Sequence, residues 1–227
     1  MRTLIAGDWH LGTYSAATHA PLAGGFLERA RQEGDLVVLN GDIFEGLFEP
    51  VARAEAAHPG LAALIATMAG AGRIARTEGN HDPGAGVHQL ILEHDAVGRI
   101  LVAHGHRVDP MHGSSAGHLG DRISRRFGHR AVVRGAARAV ETVVTGVAAT
   151  HVDRFFRRKC RALVEGHRCD LGVFGHNHRQ YLVPGDRYAN AGCLKDASLE
   201  YLLLDEAGPR LCRFGLDDLG ADAPAIP

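Results

Sequence analysis

Five short blocks carry the residues best suited to chemistry: Asp8-Trp9-His10, Gly41-Asp42, Gly79-Asn80-His81-Asp82, His104-Gly105-His106 and Gly175-His176-Asn177-His178. From them we take Asp8, His10, Asp42, Asn80, His104, His176 and His178 as candidate metal ligands. Carboxylate, imidazole and amide oxygen suit divalent ions such as Mn²⁺, Fe²⁺, Zn²⁺ or Co²⁺. The set contains no thiolate, which argues against a structural cysteine-zinc site. Asp42 is read as the carboxylate shared between two ions. A pair of metals ~3.5–4 Å apart can activate a bridging water and stabilise both the attacking and leaving oxygens of a phosphoryl transfer. Asn80 suits such a centre, because its amide oxygen can ligate while its NH₂ donates to a phosphate oxygen.

His81 follows Asn80 directly and so projects to a different side. It is the candidate to donate a hydrogen bond or a proton to the leaving oxygen. Glu45, three residues after Asp42, is the candidate to orient that imidazole. Asn80, His81 and Glu45 are therefore the candidate catalytic residues.

Strands are needed to carry these blocks to one place. Apolar runs precede them at 3–7, 36–39, 73–77, 99–103 and 170–174. A carboxylate beyond the end of a buried strand can stand off the rim of a sheet. Asp8 and His10, two apart, point the same way, since side chains alternate with period two. Helical spacing is expected over 18–33 through Leu22, Phe26, Leu27 and Ala30, and over 52–71 with Pro59 beginning or breaking the helix. A further helix is expected over 87–94. Alternating strands and helices indicate an α/β class.

The pattern then changes. No strand signal occurs from about 117 to 167, while Val140, Val143, Val144 and Val147, then Phe156, Cys160 and Val164, recur at helical spacing. A helical insertion of two or three helices is expected, forming a lid over about 110–167 within a single domain of 1–219. Short strands near 180–183, 187–190, 198–204 and 210–214 suggest an antiparallel meander, and 220–227 reads as a disordered tail.

The formal net charge of −1 argues against a general polyanion binder. Between 107 and 168, thirteen basic side chains face five acidic ones, a surplus of +8 that leaves −9 elsewhere. That surplus fits an anionic partner or a solvated helix face; Arg125-Arg126 and Arg157-Arg158 are the candidate phosphate clamps. The acidic remainder weighs against nucleic acid. The four cysteines form no C-x-x-C pair and are expected to be free and mostly buried. The chain opens straight into a strand without a signal-peptide pattern, and no apolar run reaches the ~18 residues of a membrane span, so a cytoplasmic enzyme is expected.

With fifteen histidines some must be bystanders. His19, His58, His88, His94, His129 and His151 are placed in that group, while His106 and His112 stay undecided. Trp9 is read as packing.

The ordered pattern D-x-H, G-D, G-N-H-D, H-G and G-H-x-H resembles the calcineurin-like metallophosphoesterase superfamily over 8–178, about three quarters of the chain. The resemblance implies a two-sheet β-sandwich flanked by helices. It implies one ion on Asp8, His10, Asp42 and His178, and a second on Asp42, Asn80, His104 and His176. The cofactors implied are two divalent ions, Mn²⁺ favoured over Fe²⁺, Zn²⁺ or Co²⁺. The implied reaction is hydrolysis of a phosphomonoester or pyrophosphate bond in a small or nucleotide-linked substrate, by attack of a metal-bound hydroxide.

Asp8-Trp9-His10-Leu11-Gly12, Gly41-Asp42-Ile43-Phe44-Glu45, Gly175-His176-Asn177-His178-Arg179 and Tyr188-Ala189-Asn190-Ala191-Gly192 look most like the UDP-2,3-diacylglucosamine pyrophosphatase branch. There the insertion covers a lipid-bearing substrate, which implies peripheral membrane contact. Three departures separate the chain from that branch: His81 stands where arginine is usual, His106 where aspartate is usual, and Gly192-Cys193-Leu194 where an acidic-aromatic pair is common. The resemblance therefore carries the metal site further than the substrate. A phosphodiesterase or nuclease, and a metal-binding scaffold without catalysis, are the competing classes.

Overall fold

The computed structural model describes residues 2–109 and 149–219, with side chains described from 153 onward in the second segment. Two sheets face each other. The first has the order β11-β10-β1-β2-β3, with β9 added alongside β10. Its strands are β1 (Thr3–Ala6), β2 (Leu36–Asn40), β3 (Ile74–Thr77), β9 (Leu194–Lys195), β10 (Ser198–Asp205) and β11 (Gly208–Gly215). The second has the order β4-β5-β6-β8-β7, from β4 (Leu90–His94), β5 (Gly98–Val102), β6 (Leu171–Phe174), β7 (Tyr181–Leu182) and β8 (Tyr188–Asn190). Strands β1, β2 and β3 run parallel, as do β5, β6 and β8.

Period-two alternation explains why both faces of these strands are apolar. Ile5, Val38, Ile100, Val102, Val173, Leu202 and Leu204 form the cluster between the sheets. Their neighbours Leu4, Ala6, Val37, Leu39 and Leu203 point the other way, onto helices α1 (His19–Glu33) and α3 (Pro59–Gly70). On the far side, Leu101, Phe174 and Tyr188 pack against Phe156, Cys160 and Val164 of α4 (Ala149–Gly166). The layers are thus helix, sheet, sheet, helix, the fold expected from the sequence.

Local signals decide several boundaries. Leu22, Phe26, Leu27 and Ala30 are the buried stripe of α1, and Gly34 closes the helix with a left-handed backbone. Pro59 sits in the first turn of α3, separating it from α2 (Val51–Ala56), where its missing N–H costs nothing. Trp9 is buried and packs edge-on against Phe26, as expected for a packing residue.

Two expectations are corrected. The segment 87–94 is not a helix: Leu90–His94 is edge strand β4, antiparallel to β5. Leu90 and Leu92 pack inward while Ile91 and Glu93 face out, a period of two. In so short a run, Val87, Leu90 and Ile91 also fit helical spacing, and the open edge of β5 decides between them. Nor do the C-terminal strands form one meander. Strands β7 and β8 belong to the second sheet, whereas β9, β10 and β11 complete the first, with β10 antiparallel to β1.

All four cysteines are free; Cys160, Cys169 and Cys193 are buried and Cys212 is half-buried. Among the described residues no helix is long and apolar enough to cross a membrane. The expected lid between 110 and 148, with its valine stripe, Arg125, Arg126, His112 and His129, lies outside the described residues, as does the tail 220–227.

Candidate metal centre

The candidate ligands leave the carboxyl ends of parallel strands in both sheets. Strand β1 delivers Asp8 and His10, β2 delivers Asp42, β3 leads to Asn80, β5 to His104, and β6 to His176 and His178. The loops after β1 and β2 run side by side: the N–H groups of Trp9 and His10 both donate to the Asp42 carbonyl at 2.9 Å. Backbone strain concentrates here. Seven non-glycine described residues have positive φ, and five of them are Asp8, His10, Asp42, His176 and His178. Each such residue costs roughly 1–3 kcal/mol, a cost that persists where the surrounding structure fixes it.

Two groups of donors share Asp42 and Asp8. On one side, His10 Nε2 lies 3.1 Å from His178 Nε2, and His178 Nε2 lies 3.2 Å from Asp8 Oδ1. His10 Nε2 is 3.9 Å from Asp8 Oδ1 and 4.0 Å from Asp42 Oδ2. On the other side, His104 Nε2 lies 3.1 Å from Asp42 Oδ2 and 3.3 Å from Asn80 Oδ1. Ligands ~2.1 Å from an ion at right angles to each other stand roughly 3.0 Å apart, and opposed ones about 4.2 Å apart. The observed separations fall in that range, so the donor set fits cations. Asp8, His10 and His178 form one trio of ligand atoms, and Asp8, Asp42 and His104 another. His176 is placed differently from the rest: its ring packs 5.3 Å from that of His104, its backbone N–H donates to both Asp8 carboxylate oxygens, and its Nε2 bonds Asp109.

The electrostatics reflect two carboxylates out of water. Burial alone would raise Asp8 and Asp42, but the imidazoles of His104 and their other neighbours hold both below the usual carboxylate range. Burial opposes a charge on His104 too, yet Asp42 and Asp8 outweigh it and lift it to about 10. The field that would protonate His104 is the field a cation would occupy. His10 goes the other way, to about 4, through burial and then the nearby His81. His104 Nδ1 donates to the Asn40 carbonyl at 3.0 Å, which leaves Nε2, facing Asp42, as the atom that could ligate a cation once its proton is lost.

His81 stands beside this cluster. Its Nδ1 is 2.9 Å from Glu45 Oε1, its backbone N–H donates to Asp42 Oδ1 at 2.7 Å, and its Nε2 is 4.0 Å from Asp42 Oδ2. Although burial pulls its pKa down, the Asp42 and Glu45 carboxylates raise it to about 9. Glu45 is itself held by the N–H groups of Leu47 and Phe48, at 2.8 and 3.3 Å.

Three supporting residues received no role from the sequence. Buried Asp82 accepts hydrogen bonds from the N–H groups of Asp42, Ile43 and Gly79, and so fixes the Asp42 turn. It lay inside the fourth-position end of the Gly79-Asp82 block, the one available signal. Asn190 donates to the Gly175 carbonyl and to Asn177, pinning the turn that bears His176 and His178. Asp109 had no signal beyond closeness to the His104 block. Gly79 has a steric reason: a Cβ there would stand 2.0 Å from Asp42 Oδ1.

The remaining candidates resolve simply. His106 packs beside His104 and His176, with ring centroids 5.4 and 6.5 Å away. His88 bonds Glu78, and His58 bonds the Gly12 carbonyl. Arg157 is engaged by Asp153 at 2.6 Å and stacks over Tyr181 at 3.8 Å, so it is not a free phosphate clamp.

The calcineurin-like phosphoesterase family model matches residues 1–180. The chain belongs to the calcineurin-like phosphoesterase family. As in the expectation from its motifs, this phosphoesterase carries a candidate metal-binding site that includes Asp8, His10, Asp42 and His104. No curated protein matches the chain. Among solved structures, a single mutant of Vps29 from Entamoeba histolytica aligns at 15% identity and TM-score 0.49, over 95% of this chain and 99% of that one. A dimetal phosphatase from Danio rerio aligns at 11% identity and TM-score 0.45, over 95% and 98%. A predicted phosphoesterase from Streptococcus pneumoniae aligns at 14% identity and TM-score 0.43, over 93% and 97%.

Proposed function

We propose that this phosphoesterase is a dinuclear, metal-dependent hydrolase of a phosphomonoester or pyrophosphate bond in a small or nucleotide-linked substrate. The supporting observation is the pair of donor groups that share Asp8, one with His10 and His178 and the other with Asp42 and His104, with separations a divalent cation would span. Asp8, His10, Asp42 and His178 would hold one ion; Asp42, Asn80, His104 and His176 the other. Manganese is the ion we favour. Bound there, the ions would polarise the phosphoryl oxygens and make water nucleophilic near neutral pH.

The chain's own residues do the rest. The Asn80 amide NH₂ can donate to a phosphoryl oxygen while its carbonyl faces His104. His81, with Nδ1–H donated to Glu45, presents Nε2–H to the leaving oxygen. As water adds to phosphorus and the P–O bond to the leaving group breaks, that proton passes to the departing oxygen, and a proton released by the added water then restores His81. In the cation-free protein the Asp42 and Glu45 carboxylates raise His81 to about 9, and with ions on Asp42 the Glu45 contact at 2.9 Å is the one left to favour the charged ring. Loss of catalysis in such a fold would be expected to erode the ligand set, and here all seven candidates are present.

The test is a panel of phosphomonoesters, phosphodiesters and nucleoside diphosphate conjugates, assayed with Mn²⁺-loaded protein and with Asp42→Asn alongside. Cleavage by the parent and none by the variant is expected. A loaded parent that cleaves no member of the panel overturns the proposal.

A further inference from the structure

Asp109 closes a turn that begins at the metal centre. After His104 and Gly105, a single 3₁₀ turn (His106–Val108) brings the chain back, with Val108 N–H donating to the Gly105 carbonyl at 3.1 Å. Gly105 has φ +103, and a Cβ there would stand 2.8 Å from the Phe156 ring, so the turn can tuck under α4 only with glycine. The result is a mostly buried carboxylate, 11% exposed, whose Oδ2 lies 2.8 Å from His176 Nε2.

The His176 ring is fixed on several sides. Phe156 stands 5.8 Å from its centroid and His104 5.3 Å, and its backbone N–H is tied to Asp8. A neutral imidazole has one N–H and one lone pair. With Nε2–H donated to Asp109, the lone pair that remains is on Nδ1. We infer that Asp109 is a positioning residue: it selects the His176 tautomer and ring orientation that offer Nδ1 to the second cation. Carboxylates that hold a metal-bound histidine in this way commonly contribute about 10–100-fold to metal affinity. The inference rests on the reading that His176 serves the second ion.

Calorimetric titration with Mn²⁺ alone tests it, independently of any assay of turnover. The parent is expected to bind two ions. Asp109→Ala should weaken one of them about 10–100-fold and leave the other unchanged. Asp109→Glu should recover part of that loss. His176→Gln should weaken the same ion, and the double variant Asp109→Ala/His176→Gln should lose no more than His176→Gln alone, because Asp109 acts through the ring. Asp109→Leu, close in size and without an acceptor for the His176 Nε2–H, decides the matter if Asp109→Ala does not fold by circular dichroism. Parent-like binding of both ions by the Asp109 variants overturns this inference while leaving the dinuclear reading intact. A double variant weaker than His176→Gln alone also overturns it, since Asp109 would then be a ligand in its own right. A parent that binds a single ion overturns the dinuclear reading, and this inference with it.

Discussion

At the scale of single residues the centre is a balance of charge against burial. His104 must give up a proton before it can ligate, and in the cation-free protein Asp42 and Asp8 hold that proton to about 10. Metal binding should therefore release protons, and Mn²⁺ affinity should rise between pH 6 and 9. Titrations in buffers of different ionisation enthalpy read the protons directly; a pH-independent affinity with no proton release would contradict this account. For His81, replacement by Asn should lower kcat by about 10²–10⁴-fold, the usual contribution of a positioned general acid, with bound metal unchanged. Glu45→Gln should cost less, since it removes the orienting charge but keeps a hydrogen-bond acceptor. Equal losses in the two variants would mean that Glu45 has a larger part than holding the ring.

Secondary-structure elements set how near the candidate ligands can come. Gly79 follows β3, and a methyl group there would enter the Asp42 carboxylate. Gly79→Ala should leave the strands intact by circular dichroism and still abolish tight Mn²⁺ binding, because Asp42 must move. A parent-like metal titration would show that the loop yields without cost. A second contact ties α4 to the β7–β8 hairpin. Arg161 donates to Asp186 through Nε at 2.7 Å, and Asp186 also accepts from the Tyr181 hydroxyl and the Tyr188 N–H. The Arg161 bond, with those others, holds Asp186 down to about 2. The sign follows from linkage: a carboxyl depressed on folding adds stability above its unfolded pKa and loses it as pH falls through the folded one. With Arg161 40% exposed, solvent screening reduces the contribution to roughly 1 kcal/mol. Asp186→Asn should melt about 2–4 °C below the parent at neutral pH, with the gap closing between pH 4 and 2. A gap that stays constant over that range would assign it to packing.

For the whole molecule, strain and cation binding oppose each other. Five candidate ligands hold left-handed backbones at the rim, and two buried carboxylates face each other there. A cation that binds only the folded state stabilises it by about 2.7 kcal/mol at a hundred times its dissociation constant. Thermal melting should rise by roughly 5–10 °C on adding saturating Mn²⁺ to chelator-treated protein. The same shift in Asp42→Asn would mean the ions bind elsewhere.

Much of this was legible in the primary structure. The blocks Asp8-His10, Asp42, Asn80-His81, His104 and His176-His178 stand at strand ends because a buried parallel strand must be a short apolar run and a ligand must lie past it, and both leave a local record. The helical stripe of α1 and the break at Pro59 are equally local. What only the tertiary structure decided was pairing. Strand β4 became a strand because β5 offered an open edge, and the C-terminal strands divided between two sheets according to which edges were vacant. Asp109 and Asn190 acquired their places in the same way, each reaching a histidine-bearing turn far along the chain through a hydrogen bond with no periodic signature. Spacing in sequence records which face a side chain takes; it does not record which distant backbone will arrive opposite, and that is settled only when the layers pack.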